Sequence, residues 1–145
     1  LQFELHLNER GQTVDSILRL TTGNEPAPPD ATAARVLPGT RDPLGLLQFL
    51  RTVNWVKTPE VRCPVFDGHK LYEAQARIIG SAAAVEVPAG QFSASQIELR
   101  VFENGVETKD THFILFLANN AARTPVMLSA ILPFADARVE LLRMP

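Results

Sequence analysis

The sequence predicts a mainly β protein: a curved antiparallel sheet or open half-barrel of about eight to nine strands, with one short helix packed on it. Three observations predict it. Apolar and polar residues alternate with period two over many segments, as in strands with one buried face. Turn-forming pairs such as Asp67-Gly68 and Asn104-Gly105 recur between those segments. Helical periodicity is found in only one place. At 145 residues the chain has the length of one domain, 1–145, with a core large enough to need no metal or disulfide.

Leu1 to Leu7 alternates strictly and reads as the first strand, with Asn8-Glu9-Arg10-Gly11 as a turn. Gln12 to Leu20 reads as the return strand. From Thr21 to Gly39 the composition shifts to proline, alanine and threonine, which predicts a surface loop over 21–39. The helix is predicted over 43–52. Asp42 is a suitable N-cap, and Pro43 suits the first helical position because its missing N–H would have no partner there. Leu44, Leu47 and Leu50 recur at three-residue steps, Phe49 widens the stripe, and Trp55 sits just past the end.

An antiparallel meander is predicted over 61–142. Val61 to Phe66 is a strand interrupted by Pro64, which marks an edge or a bulge. Lys70 to Ile79 alternates, with Tyr72, Ala74, Ala76 and Ile78 on one face. Ala83 to Val87 reads as a separate short strand that ends at Pro88-Ala89-Gly90. Phe92 to Phe102 follows, then the Asn104-Gly105 turn, whose residues both tolerate positive φ. Thr111 to Ala118, Pro125 to Leu132 and Arg138 to Leu142 complete the series.

Two strands break the simple alternation. In HFILFLA, Phe113, Leu115 and Leu117 oppose Ile114 and Phe116; in VMLSAIL, Val126, Leu128 and Leu132 oppose Met127 and Ile131. Such strands must be covered on both faces, yet only one helix is available. The second cover is either the far wall of a barrel or sandwich, or an apolar ligand held in a curved sheet.

Charge and composition exclude several classes. Fourteen basic and sixteen acidic residues are scattered in both signs, so no basic stripe points to nucleic acid. No apolar run approaches the ~18–20 residues needed to span a bilayer as a helix. The single cysteine, Cys63, rules out an intrachain disulfide. The chain starts at Leu1, already in strand-like alternation, and is expected to be a processed or trimmed product.

The runs DPLGLLQFLR, PVFDGHKLYEAQARIIG, VEVPAGQFSASQIEL and FLANNAARTPVMLSAILPFADARVELL carry four ordered landmarks. These are an Asp-initiated helix (Asp42 to Arg51), an Asp-Gly-x-Lys-x-Tyr turn (Asp67 to Tyr72), a Pro-x-Gly-x-Phe turn (Pro88 to Phe92) and a late Arg-x-Pro-Val strand (Arg123 to Val126). Over about residues 37–142 the chain resembles the bacterial domain of unknown function numbered 3108. It departs from that family's usual pattern at Asn119-Asn120 and at Ala135. The resemblance implies export to the periplasm or cell envelope, and a sheet similar to the half-barrel of lipoprotein carriers. It implies no catalytic residues, because the family has no established activity.

The residues themselves offer little catalytic chemistry. His6, His69 and His112 have no partner histidine or cysteine at metal-binding spacing, so no metal is expected. Asp67 with His69, and Asp110 with His112, are conceivable carboxylate–imidazole pairs, read here as polar hairpin residues. Cys63 beside Pro64 reads as a small core residue. No nucleophile elbow or phosphate-binding glycine pattern is present, so neither an enzyme nor a cofactor is expected. The candidate lining of an apolar cavity is Trp55, Tyr72, Phe92, Phe113, Leu115, Phe116 and Met127. The leading expectation is a non-enzymatic envelope protein that binds a lipid or lipoprotein acyl chain. The alternative is an interaction module of an envelope assembly, binding another envelope protein through a sheet edge or the 21–39 loop.

Overall fold

A computed structural model describes the backbone of residues 2–9 and 12–19, and residues 40–68 and 70–144 with their side chains. The expected 21–39 loop lies outside the described residues, as does His69. The elements run β1 (Gln2–Glu9), β2 (Gln12–Arg19), α1 (Pro43–Thr52), β3 (Glu60–Phe66), β4 (Leu71–Val87), β5 (Gly90–Glu103), β6 (Val106–Glu107), β7 (His112–Ala118), β8 (Pro125–Ile131) and β9 (Ala135–Arg143).

The nine strands form one antiparallel sheet in the order β2-β1-β9-β8-β7-β5-β4-β3, with β6 paired to β5. Its two ends, β2 and β3, do not pair, so the sheet is open and not a closed barrel. From β3 to β9 the chain is the expected meander, because each long strand pairs with the next. Proline-interrupted β3 takes the edge, where a missing N–H costs no ladder bond. Asn104 and Gly105 both adopt positive φ, 51° and 78°, and join β5 to the two-residue β6. That short strand was not among the expected elements.

The helix has the expected bounds. Asp42 stands in extended geometry, and its carboxylate accepts the Gly45 N–H, one of the four donors a helix start leaves unpaired. Val53 ends the helix in extended conformation. The Trp55 indole N–H donates to Leu50 O at 3.2 Å, so a buried ring closes the last turn.

One expectation is corrected. Lys70 to Ile79 and Ala83 to Val87 are not two strands but one, β4, whose register against β5 shifts at Gly80 and again before Ala83. Extra residues in one strand of a pair bend it and increase its twist without ending it. The irregular stretch is held by Asn119, whose amide donates to Ser81 O at 2.7 Å and to Ser93 Oγ at 3.1 Å. Ser95 Oγ in turn donates to Asn119 Oδ1 at 2.9 Å.

The bend solves the problem of the doubly apolar strands. Beyond it β4 reaches β8 and β9, from which β5 and β7 separate it in the sheet order, and Ala89 N–H donates to Leu141 O at 3.1 Å. Two cores result. Leu115 and Leu117 of β7 pack with Leu50, Val53, Trp55, Ala76 and Ile97 beneath the helix. Phe116 and Ala118 pack with Val85, Val87, Ala94, Val126 and Leu141, beneath the outer part of the β4–β5 hairpin. Val126 joins that second core because the β7–β8 register shifts beside it, so it does not follow the simple alternation. The second cover of β7 is therefore the protein's own hairpin.

Ile97 is completely buried in the first core, whereas Val106 is 68% exposed. Ile97→Ala is expected to lower unfolding free energy by about 2–5 kcal/mol. Val106→Ala is expected to change it by no more than about 0.5 kcal/mol. Urea unfolding followed by Trp55 fluorescence measures both.

Candidate functional site

Between α1 and the sheet lies a cavity of about 370 Å³. Its roof is the helix, through Pro43, Leu44, Leu46, Leu47 and Leu50. Its floor is the sheet, through Val65, Ala74, Leu99, Val101, Phe113, Leu115 and Leu128. The strand period explains the floor: Ala74 pairs with Val101, Leu99 with Phe113 and Leu115 with Leu128, so these side chains share one face. Alanine at position 74 leaves volume that a larger side chain would fill. Asp67 and Tyr72 carry the only polar side-chain groups among the described lining residues.

The cavity has a deep end and a mouth. Leu50, Leu115 and Ala74 are 1%, 2% and 4% exposed, while Leu44 is 55% exposed. Pro43 and Asp67 are exposed as well. The mouth thus opens between the start of α1 and the β3–β4 turn.

Two arginines lock the far end of the roof. Arg123, in the β7–β8 loop with φ 44°, donates from Nη1 to Val53 O and to Arg51 O. Arg51 reciprocates, donating from Nε and Nη2 to Ala122 O at 3.2 and 2.9 Å. Cationic donors at the last carbonyls of a helix satisfy orphan acceptors and oppose the negative end of its dipole. At the mouth, Arg41 N–H donates to Pro64 O at 3.0 Å and Arg41 O accepts Phe66 N–H at 2.9 Å. The Arg41 guanidinium lies 4.3 Å from the Phe49 ring centroid.

The turn beside the mouth is built by Asp67, whose Oδ1 accepts the Lys70 N–H at 2.8 Å, and by Gly68 at φ 98°. Lys70 Nζ sits 3.1 Å from Glu103 Oε1. The hydrogen bond to Glu103 and the charge of that carboxylate hold the Lys70 ammonium above its usual pKa, against a smaller effect of burial. On the opposite face of β5, Arg100 binds Glu107 through two hydrogen bonds of 2.7 and 2.5 Å. This bond holds Glu107 below the usual carboxylate range and Arg100 above its own. The stabilisation from Glu107 is present above the ordinary carboxylate pKa and is lost as pH falls through the lower folded value.

Of the seven residues expected to line a cavity, the structure brings Tyr72, Phe113 and Leu115 together here. The other four lie elsewhere. Trp55 packs in the same core but borders a separate hollow of about 340 Å³ with Asn119 and Arg123. Phe92 lines a more open groove of about 490 Å³ beside Glu86 and Gln91, on the outer hairpin. Phe116 and Met127 belong to the second core, because adjacent residues of a strand face opposite sides. The groove at Phe92 is larger, but it is more open and more polar, so the apolar cavity beneath α1 is the better candidate. The leucines of α1 and residues Val65, Leu99, Val101 and Leu128 were missed. Their signal was the stripe of α1 together with the alternation of β5.

The other candidate chemistries are described only in part. His112 and Asp110 are both exposed, at the start of β7 and just before it. The Asp67–His69 pair falls partly outside the described residues, and the side chain of His6 is not described. Cys63 is buried, with its Sγ 3.4 Å from Arg41 Nη1. No group of three or more His, Cys, Asp or Glu residues is placed to hold a metal ion among the described residues. No described helix is long and apolar enough to cross a membrane.

Fold and site thus define an open, curved antiparallel sheet with one helix clamped over an apolar cavity. A family model described as a protein of unknown function, DUF3108, matches residues 3–142, and the chain belongs to that family. The match includes the first two strands, which lie before the four landmarks. Neither the curated proteins nor the solved structures contain a match to this chain.

Arg123→Ala removes the donors to Arg51 O and Val53 O. Stability is expected to fall by about 1–3 kcal/mol. Amide exchange should speed up in residues 46–53 more than in β7, which hydrogen-exchange mass spectrometry reads directly.

Proposed function

We propose that this protein binds an apolar ligand, a lipid or the acyl chain of a lipoprotein, between α1 and the curved sheet. It works as a binder, not a catalyst. The observation that carries this reading is the cavity itself. Its volume of about 370 Å³ lies within the ~300–1,000 Å³ range of ligand sites, and aliphatic and aromatic groups form nearly all of its wall. An alkyl chain entering it gains about 0.8 kcal/mol for each methylene taken from water. Affinity of that kind needs no array of polar contacts, and the wall offers none.

The reading places this work in the bacterial cell envelope, on the strength of the export typical of the family. A tagged full-length precursor, fractionated from its own host, is expected in the periplasmic or envelope fraction; recovery in the cytosol alone would reject that placement.

Ligand binding has a direct test. Native mass spectrometry of protein purified from a bacterial host is expected to show a co-purified apolar ligand, released on organic extraction. Ala74→Leu and Leu99→Trp project into the cavity and should abolish the added mass while the protein stays folded. A bare mass in the unmodified protein, with no binding of decan-1-ol afterwards, would sink the proposal.

A further inference from the structure

We propose that the hollow beside Trp55 is a second ligand site, which binds an oxyanion, a carboxylate or phosphate ester, carried on a small apolar body. It shares no lining residue with the cavity beneath α1, and the proposal stands whether or not that cavity holds a lipid. The hollow has a deep apolar side, where Trp55 and Leu117 are buried, and a polar side formed by Ser81, Ser95, Asn119 and Arg123. Its volume of about 340 Å³ equals about eleven water molecules at roughly 30 Å³ each, room for a ligand of about ten non-hydrogen atoms.

Arg123 supplies the charge. It is the only charged residue in the described wall, and it is half-buried. Its side-chain bonds run from Nη1 alone, to the carbonyls of Arg51 and Val53, and no carboxylate among the described residues pairs with it. The Nε and Nη2 donors form the other edge of the fork, and two parallel N–H groups there match two oxygens of one carboxylate or phosphate. The guanidinium is also fixed in place. Arg123 is held at φ 44°, a left-handed backbone that a long side chain seldom adopts. The loop enforces it, because Arg123 N–H donates to Asn120 O at 3.0 Å and Asn120 Oδ1 accepts the Thr124 N–H at 3.1 Å. A donor edge positioned before the ligand arrives lowers the cost of binding.

The test compares phenylacetate and phenyl phosphate with the neutral 2-phenylethanol, followed by NMR titration of the full chain. At least one of the anions is expected to bind roughly tenfold or more tightly than the alcohol, and the tighter of the two names the oxyanion. The shifts should centre on the Arg123 Nε–H, the Asn119 side-chain amide and the amides of Ser81 and Ser95, and leave Leu99 and Val101 unmoved. Arg123→Gln should erase the preference for the anion. Because that variant also loosens α1, a second pair of variants leaves the arginine intact. Ser81 is exposed and offers Asn119 only its backbone carbonyl, so its side chain can be changed without breaking that bond. Ser81→Glu places a carboxylate on the wall and should weaken the anion about tenfold relative to Ser81→Gln. Equal or tighter binding of the alcohol overturns the proposal, as do shifts centred on Leu99 and Val101, or a preference that Ser81→Glu does not move. Failure of both anions to bind overturns it too, and leaves the apolar-ligand reading of the other cavity untouched.

Discussion

Strand β7 is apolar on both sides, and both described cores are built on its residues. An antiparallel sheet in water commonly hides one face only. Here Leu115 and Leu117 need one cover and Phe116 and Ala118 another. The chain supplies them by two different means. It lays α1 across one face, and it bends the long β4–β5 hairpin at its register shifts so that Val85, Val87 and Ala94 cover the other. The hairpin cover requires a strand that leaves its regular ladder without losing its backbone bonds. Asn119 meets that need by bridging Ser81 and Ser93.

The two covers differ in how tightly they fit. Beneath the hairpin, Val85, Val87 and Ala94 form one buried cluster with Phe116, Ala118, Val126 and Leu141. On the other face, the ten-residue α1 lies across the sheet. Contact is close at its C-terminal end, where Arg51 and Arg123 exchange hydrogen bonds with the β7–β8 loop. Along the rest of its length the helix stands over small Ala74 and its neighbours, and the cavity lies between them. Function, in the reading proposed here, comes from the space left between helix and sheet.

Much of the local structure was legible because its causes are local. Asp42 and Pro43 announce a helix start through one hydrogen bond and one missing N–H, and Asn104-Gly105 announces a turn through its permitted φ values. Pro64 announces an edge because it cannot serve a ladder from both sides. The candidate site was only partly legible. Choosing the aromatic residues found Tyr72 and Phe113 but also gathered Trp55, Phe92 and Phe116, which the fold sends to different places. Residue type reports that a side chain will be buried, not against which neighbour.

By itself, the sequence determined the mainly antiparallel β architecture, the bounds of α1 and the fact that β7 needed two covers, since each follows from periodicity or from one residue's covalent geometry. Only the tertiary structure decided what the covers are and where space remains. β4 was read as two strands because its alternation is interrupted, while its partner β5 and the clamp from Asn119 carry it through the bend. The Arg51–Arg123 clamp joins residues 72 apart, and no period or spacing in a chain encodes such a meeting. Cavity volume likewise depends on the curvature summed over many strand pairs, a property of the assembled sheet.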